Sequence, residues 1–465
     1  MQQRIFTLLP LVALLGACSM APHYERPASP VPVQMGAGQA STQAALPGWQ
    51  DYFSDPALKG LIAQALDNNR DLRIAVARIQ EARALYGITN ADRLPTLALG
   101  GGEQAARTPR TVTGGEATVG RRYDANLSFT AFELDFWGRV KSLSDAARNR
   151  YLATEEAQRA VRVSLIAEVA NAYWNLRSFE ERAELARKTV QSLSESDRVI
   201  GRRLETGLAN KLDALQATAA VEEARASQAN LERQARNARN ALQLLVGTVV
   251  NVPETEARLV ATLPDTRVPE GLLSDVLLAR PDVRQAEYEL RAANANIGAA
   301  RAAFFPTITL TANAGSASAQ LSDLFGSGSG AWSFAPQITL PIFDSGRNKA
   351  NLDLTEARKV IAVAEYERTV QTAFREVSDV LSDQQGQQEY VEALERAVAR
   401  QTERLGVAQS RYDAGLVGYL DVLDAQRAQY LSQQALIDAA RARLAVTAEA
   451  FKALGGDEQK PLEVD

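Results

Sequence analysis

Beginning at Arg203 the chain reads RLETGLANKLDALQA, and beginning at Arg411 it reads RYDAGLVGYLDVLDA. Seven of these fifteen positions are identical, at an offset of 208 residues (411 − 203). The agreement extends outward. Gly138-Arg139 matches Gly346-Arg347, and Gly247 matches Gly455, at the same offset. Upstream the offset is 211, pairing Asp71, Arg73, Gly87 and Pro95 with Asp282, Arg284, Gly298 and Pro306. The difference of three (211 − 208) falls between Pro95 and Gly138, where a loop absorbs it. A chain of 465 residues is long enough for two or three unrelated domains. The repeat makes it one unit copied twice, which any fold of this chain must accommodate.

Proline usage says what the unit is made of. None occurs between Trp137 and Val252, and none between Ile342 and Lys460. An interior proline costs a helix roughly 3 kcal/mol. These Ala-, Leu-, Glu-, Gln- and Arg-rich tracts therefore predict very long helices. Each is interrupted once, at Gly207 and at Gly415, where glycine suits the left-handed conformation that ends a helix. Each tract is thus expected to be a helical hairpin with the repeated motif at its tip. At about 1.5 Å per residue, 138–206 makes a helix of roughly 100 Å and 209–247 one of about 58 Å. Asn69 to Asp92 supplies about 36 Å more, so two short helices end to end match the long one. The second copy repeats this with 347–412, 419–454 and 281–304.

Between the helices lie segments of period two, the mark of strands. DANLSFTA puts Ala125, Leu127, Phe129 and Ala131 on one face; TITLTANA puts Ile308, Leu310, Ala312 and Ala314 on one face against threonines. Trp332 to Ile342 alternates likewise, and Thr96 to Gly102 is a weaker fourth case. The segments form two hairpins, with loops at 106–120 and 316–329. Two readings are open: an ordinary half-buried sheet, or strands of a transmembrane β-barrel. Four strands close no barrel, because the smallest has eight, and open edges do not survive in lipid. Membrane-spanning strands here would require an oligomer.

The ends and the charge narrow the setting. The first residues, MQQRIFTLLPLVALLGAC, carry Arg4, an apolar run from Ile5 to Leu15 and small residues before the only cysteine, Cys18. This resembles a bacterial lipoprotein signal at 1–17, with Cys18 becoming the lipidated first residue, bearing diacylglycerol and palmitate. Ser19 follows it, in keeping with sorting to the outer membrane. One anchor gives modest membrane affinity, so a second contact is expected. Residues 18–45, rich in proline, predict an extended tether. Net charge is −5, from 51 basic and 56 acidic residues, which argues against nucleic acid as a partner. His23 is the single histidine and lies in the tether, and no GxSxG, HExxH or P-loop occurs, so no enzyme and no cofactor are expected. Methionine occurs only at positions 1, 20 and 35, so the body shows no relay for soft cations.

Taken in order, the lipidated cysteine, the tether and two copies of helix, strand, strand, long helix, glycine tip and helix resemble the outer-membrane factors of tripartite efflux pumps, the TolC-like and OprM-like channels. The second copy carries the phrases ARPDV (Ala279–Val283), FFPTITL (Phe304–Leu310), LPIFDSGR (Leu340–Arg347) and YLDVLDAQR (Tyr419–Arg427). The resemblance implies an α+β membrane protein: a homotrimer with a 12-stranded transmembrane β-barrel, four strands per subunit, continuous with a 12-helix periplasmic α-barrel. Three chains with two hairpins each give six tips, so pseudo-sixfold symmetry tiles a tube from one gene product. The expected organisation is a first repeat at 46–247 with strands 95–106 and 122–136, an equatorial segment at 248–280, a second repeat at 281–455 with strands 306–316 and 331–343, and a tail at 456–465. VVNVP (Val249–Pro253) is a candidate short equatorial strand.

The resemblance also implies an exit duct for multidrug efflux in a Gram-negative outer membrane. Its partners would be outer-membrane lipid, a periplasmic membrane-fusion adaptor and an inner-membrane RND transporter. A channel for protein secretion or metal-ion efflux, or a periplasmic scaffold without a pore, are the alternatives. Leu420 and Asp424, four apart on one helix face, have two readings: coiled-coil core with Asp424 paired to Arg427, or a constriction. The resemblance places them at the periplasmic gate; Arg427 and the neighbouring tip residue Arg411 are candidates to tie adjacent hairpins and hold the tips inward. Gln216 stands where Asp424 would correspond in the first copy. Trp137 and Trp332 flank strands, as interface aromatics or as packing at the strand–helix junction, while Tyr173 and Trp174 are expected in a helical core.

Overall fold

The computed structural model describes residues 19–35, 46–252, 258–263, 268–269 and 271–456. Cys18, residues 36–45 of the expected tether, Pro253 and nearly all of the tail lie outside the described residues. In chain order the elements are β1 (Gln34–Met35), α1 (Trp49–Tyr52), α2 (Pro56–Asn68), α3 (Arg70–Ala91), β2 (Ala98–Thr108), α4 (Arg110–Thr113) and β3 (Thr118–Leu134). Then come α5 (Arg139–Glu205), α6 (Lys211–Val246), β4 (Leu272–Leu273), α7 (Pro281–Ala302), β5 (Thr307–Ser318), β6 (Gly330–Thr339), α8 (Arg347–Asp413) and α9 (Tyr419–Ala453). The two long helices, α5 and α8, are 67 residues each.

The chain divides into two compact units, and neither is a repeat. One contains the described residues up to Ala28 together with Arg78–Glu155 and Gln285–Tyr366; the other contains Ser29–Ala77, Glu156–Arg284 and Glu367 onward. Duplication is a property of the sequence, whereas each unit draws on both copies.

The first unit holds a four-stranded antiparallel sheet in the order β2-β3-β5-β6. The two hairpins join through β3 and β5, from Tyr123↔Ser318 to Leu134↔Ile308. Between Phe129 and Phe132 the register shifts, so Thr130 and Ala131 oppose Thr311 alone. Ala131 takes φ of +52° and donates its N–H to Thr311 Oγ1 at 3.0 Å. This bulge corrects the expectation that Ala131 continues the face of Phe129. Strict alternation would put Ala131 and Glu133 there; the extra residue resets the parity and keeps Phe132 and Leu134 on that face instead. Trp137 stacks on Phe305 with ring centroids 4.8 Å apart and donates Nε1–H to the Pro306 carbonyl at 2.8 Å, so it packs below the strands. Trp332 is 80% exposed.

The tether expectation is corrected in both units. In the first, Arg26 forms a two-oxygen pair with Glu287 on α7, Tyr24 donates to the same carboxylate, and the Pro22 carbonyl accepts from Asn294. Gly298 makes this approach possible, since a Cβ there would stand 2.6 Å from the Ala21 nitrogen. In the second, β1 pairs with β4, and Met35 is fully buried. Extended backbone was readable from proline content; docking was not, because it rests on single side chains without period.

The second unit contains the main core. Phe53, Trp174, Tyr52 and Phe451 meet at ring distances of 5.0 to 6.1 Å, and Val250 and Val252 are buried in the same cluster. Val249–Val252 forms no strand, contrary to expectation: Val250 and Val252 turn inward in alternation with exposed Val249 and Asn251, but no strand among the described residues pairs with them, whereas Leu272–Leu273 pairs with Gln34–Met35. Asp55 caps α2 by accepting from Ala57 N–H at 2.8 Å and also takes the Tyr173 hydroxyl at 2.7 Å.

The end-to-end stacking of short helices is visible in this unit, twice. Asn69, just before α3, donates its side-chain amide to the Leu245 carbonyl at the end of α6 at 2.8 Å. Arg280, just before α7, donates to the Ala453 carbonyl at the end of α9, also at 2.8 Å. The donors are 211 apart and the acceptors 208 apart, so both offsets of the repeat meet at one joint. Arg280 is 3% exposed and is neutralised by Asp282 and Glu376 at 2.7 and 2.6 Å, as a buried cation requires.

Candidate functional site: the two hairpin tips

Both tips lie in the second unit and share one backbone solution. In the first, Leu208 N–H donates to the Arg203 carbonyl at 2.7 Å and Gly207 N–H to the Leu204 carbonyl at 3.1 Å. In the second, Leu416 N–H donates to Arg411 and Gly415 N–H to Tyr412, both at 2.9 Å. These are Schellman closures, and they need a left-handed residue: Gly207 has φ of +74° and Gly415 of +71°.

The side chains do not repeat. After the first tip, Asn210 caps α6 by accepting from Asp213 N–H at 2.8 Å, and Thr218 hydrogen-bonds Asp197 across the hairpin at 2.9 Å. After the second, Gly418 occupies the cap position of α9 without a side chain to cap it. There the hairpin is crossed by an ion pair between Arg404 of α8 and Asp424 of α9. The residues 208 earlier are Ser196 and Gln216, so both members of the pair are unique to the second copy. A second ion pair, Arg427 Nη2 to Glu223 Oε2 at 3.1 Å, links α9 to α6 and so ties one hairpin to the other.

The inner packing of the tips is a small core of Leu193, Ile200, Ala217, Ala220, Val221, Tyr419, Val422 and Leu423. The Arg203 guanidinium lies over the Tyr412 ring at 5.2 Å, and Tyr412 meets Tyr419 at 5.8 Å. Burial pushes the Tyr419 phenol above its ordinary range.

Leu420 is not in that core: it is 59% exposed, while its neighbours Tyr419 and Val422 are at 3% and 1%. The coiled-coil reading of Leu420 is therefore wrong within the subunit. Asp424, one turn on, is also exposed, and its partner is Arg404 rather than Arg427. Arg427 joins hairpins, through Glu223. The Arg411 side chain makes no ion pair among the described residues; its contribution here is the carbonyl that closes the tip. Sequence reasoning missed Arg404 and Glu223. Arg404 was within reach, because the substitution of Ser196 and Gln216 by Arg404 and Asp424 is a matched gain of opposite charges. Glu223 left no such signal, being 204 residues from Arg427.

A sequence model of the outer membrane efflux protein family matches residues 61–248 and 272–456, one match per repeat. The chain belongs to this family. It is 44% identical to the toluene efflux pump outer membrane protein TtgI of Pseudomonas putida, over 97% of this chain and 98% of that protein. It is 42% identical to the cation efflux system protein CusC of Escherichia coli K12, over 97% and 99%. The structure superposes on the open state of the Neisseria gonorrhoeae MtrE outer membrane channel with a TM-score of 0.86 at 38% identity, covering 96% of this chain and all of that one. The fold class expected from the sequence is the one these channels have, a β domain with a helical barrel built on an internal repeat. The chain is an outer-membrane efflux channel and not an enzyme.

Proposed function

We propose that this efflux protein is the passive, trimeric exit duct of a tripartite pump for chemically unrelated drugs. A periplasmic adaptor and an inner-membrane RND transporter would open it and supply the energy. The observation that carries the reading is the sheet. Its edge strands β2 and β6 pair with nothing else among the described residues, and large apolar side chains stand exposed along it, including Leu99, Leu127, Trp332, Phe334 and Ile338. Such a sheet is unstable in lipid alone and closes as twelve strands when three copies meet. Exposed Leu420 and Asp424 then face the bore at the tips, with Arg404 and Arg427 restraining α9 until an adaptor competes. Three leucines narrow the bore, and a ring of carboxylates favours cations over anions.

Metal-ion efflux is the second reading, because CusC is a cation efflux protein; the scarcity of methionine in the sequence favours drugs over soft cations. A deletion strain tests the choice. Sensitivity to unrelated drugs is the expected result, and sensitivity to copper or silver alone, or lost protein secretion alone, overturns it. The duct itself is tested in a planar bilayer, where a purified trimer that does not conduct contradicts the reading. Lipidation of Cys18 belongs to the same proposal. Cys18→Ala should abolish incorporation of labelled palmitate yet leave a trimer in the outer membrane, held by the barrel; a soluble monomer would contradict this. Epitope tags in 106–120 or 316–329 should be reachable on intact cells.

A further inference from the structure

The strand register assigns every sheet residue to a face, because directly opposed residues share one. Leu99, Leu127, Ala314 and Trp332 form one row; Phe129, Ala312 and Phe334 another; Leu134, Ile308 and Ile338 a third. The opposite face carries Asn126, Ser128, Asn313, Ser333 and Gln337. One face is therefore suited to lipid and the other to water.

Along the lipid-suited face toward the hairpin loops, the rows become Gly101 with Ala125, Glu103 with Tyr123, Ala105 with Arg121, and Arg107 with Val119. Eight residue steps on β5 (316 − 308) separate the Ile308 row from the Ala125 row. At about 3.3 Å per step and a tilt of about 40°, that is roughly 20 Å of bilayer height, comparable to the apolar band of roughly 25 Å on such barrels. Tyr123 then stands where interface aromatics stand, and Arg121 and Arg107 follow at headgroup depth.

The two arginines sit on a diagonal, with an expected separation of roughly 7–8 Å. Both are exposed and make no ion pair among the described residues. The Tyr123 hydroxyl donates to Glu103 at 3.0 Å, which engages the carboxylate nearest to them on this face. Arg122, in contrast, pairs with Gln104 on the opposite face. The other hairpin loop, 319–329, has no basic residue at all. General solvation of loops would scatter basic residues over both hairpins; the second loop carries only the acidic Asp323, so the basic charge is confined to one hairpin, at the end of an apolar face.

We propose that Arg107 and Arg121 bind the phosphorylated headgroup of lipid A in the outer leaflet, with its acyl chains lying against the Leu99 and Leu127 face. Guanidinium groups match phosphate oxygens in two-pronged geometry, and two of them on one face suit a headgroup with two phosphates. The inference rests on the proposed barrel, with its hairpin loops outward. The test is native mass spectrometry of the detergent-purified trimer titrated with bisphosphoryl lipid A. The parent and Arg122→Gln should bind alike. Arg107→Gln with Arg121→Gln should bind at least tenfold more weakly, roughly the loss of one charge-assisted contact, and the double Lys variant should recover part of it. Dephosphorylated lipid A should bind all forms weakly. Equal binding by the parent and the double Gln variant overturns the proposal, as does competition by millimolar inorganic phosphate, which would mark a free-anion site. If the parent trimer neither inserts into phosphatidylcholine vesicles nor conducts, the barrel reading itself has failed; insertion without lipid A binding sinks only this inference.

Discussion

The two hairpin tips have the same backbone and different fastenings. Gly207 and Gly415 close their helices with the same pair of hydrogen bonds. The first tip is then secured locally, by the Asn210 cap and the Thr218–Asp197 bond. The second has glycine at the cap and relies on ion pairs, Arg404–Asp424 within the hairpin and Arg427–Glu223 to its neighbour. Exposed ion pairs contribute roughly 0–1 kcal/mol each. A tip held this way is weakly locked and can be unlocked by a competing charge, whereas a cap opens only if the helix end frays. Duplication supplied two equal hairpins; substitution at a few positions gave one a local cap and the other ion pairs, the asymmetry on which the proposed gate rests.

The largest expected effect comes from removing the ion-pair fastening. Arg404→Gln with Arg427→Gln should make cells several-fold more sensitive to vancomycin, a drug too large for most porins. Thr218→Ala in the first tip should change sensitivity little. Equal effects would erase the distinction between the tips. Asp424→Ala alone should reduce cation selectivity, read as a shift in reversal potential under a salt gradient.

Smaller effects test what the tips share. Gly207→Ala and Gly415→Ala should each cost about 1–2 kcal/mol of local stability, because left-handed backbone disfavours a Cβ. Hydrogen exchange at the helix ends should report similar losses in both copies; a loss confined to one tip would mean that the closures are not equivalent. Smaller still, Asn210→Ala should cost about 1 kcal/mol at the start of α6, and Gly418→Asn should gain a few tenths at the start of α9. If Gly418→Asn also lowers drug efflux without changing trimer yield, the missing cap is part of how the second tip moves.

What the sequence disclosed follows the physics of each signal. Long helices were legible because proline is absent and glycine marks their ends. The observed α5, Arg139–Glu205, and α8, Arg347–Asp413, each differ by about one residue from the expected 138–206 and 347–412. Strand ends were less sharp: β3 begins at Thr118 rather than 122, and β6 ends at Thr339 rather than 343. Breakers stand close to both observed ends, Gly114–Gly115 before β3 and Pro341 after β6, but the apolar alternation read from Trp332 to Ile342 runs through Pro341 and that of β3 fades before Thr118. The bulge at Thr130–Ala131 shows in the sequence only as a change of parity, from Leu127 and Phe129 to Phe132 and Leu134, which small Ala131 masked by continuing the first alternation. Docking of Tyr24, Arg26 and Met35 was missed for want of any period.

At the site, Leu420 and Asp424 stood out through spacing, resemblance and the contrast with Gln216. Spacing of three or four shows only partners on the same helix. It therefore suggested Arg427 for Asp424, while the chain pairs Asp424 across the hairpin with Arg404 and Arg427 across hairpins with Glu223. Comparing the two copies position by position is the sequence operation that reveals such pairs, because the duplicated tip serves as its own reference.

The central claim is that the second tip closes the duct and the first does not. Resting single-channel conductance of two matched variants tests it most directly: Leu420→Ala with Asp424→Ala, and Leu212→Ala with Gln216→Ala at the corresponding positions of the first copy. The account predicts a raised resting conductance for the first variant and the parent's conductance for the second. Parental conductance in both, with normal trimer yield, would contradict it, and so would an equal rise in both.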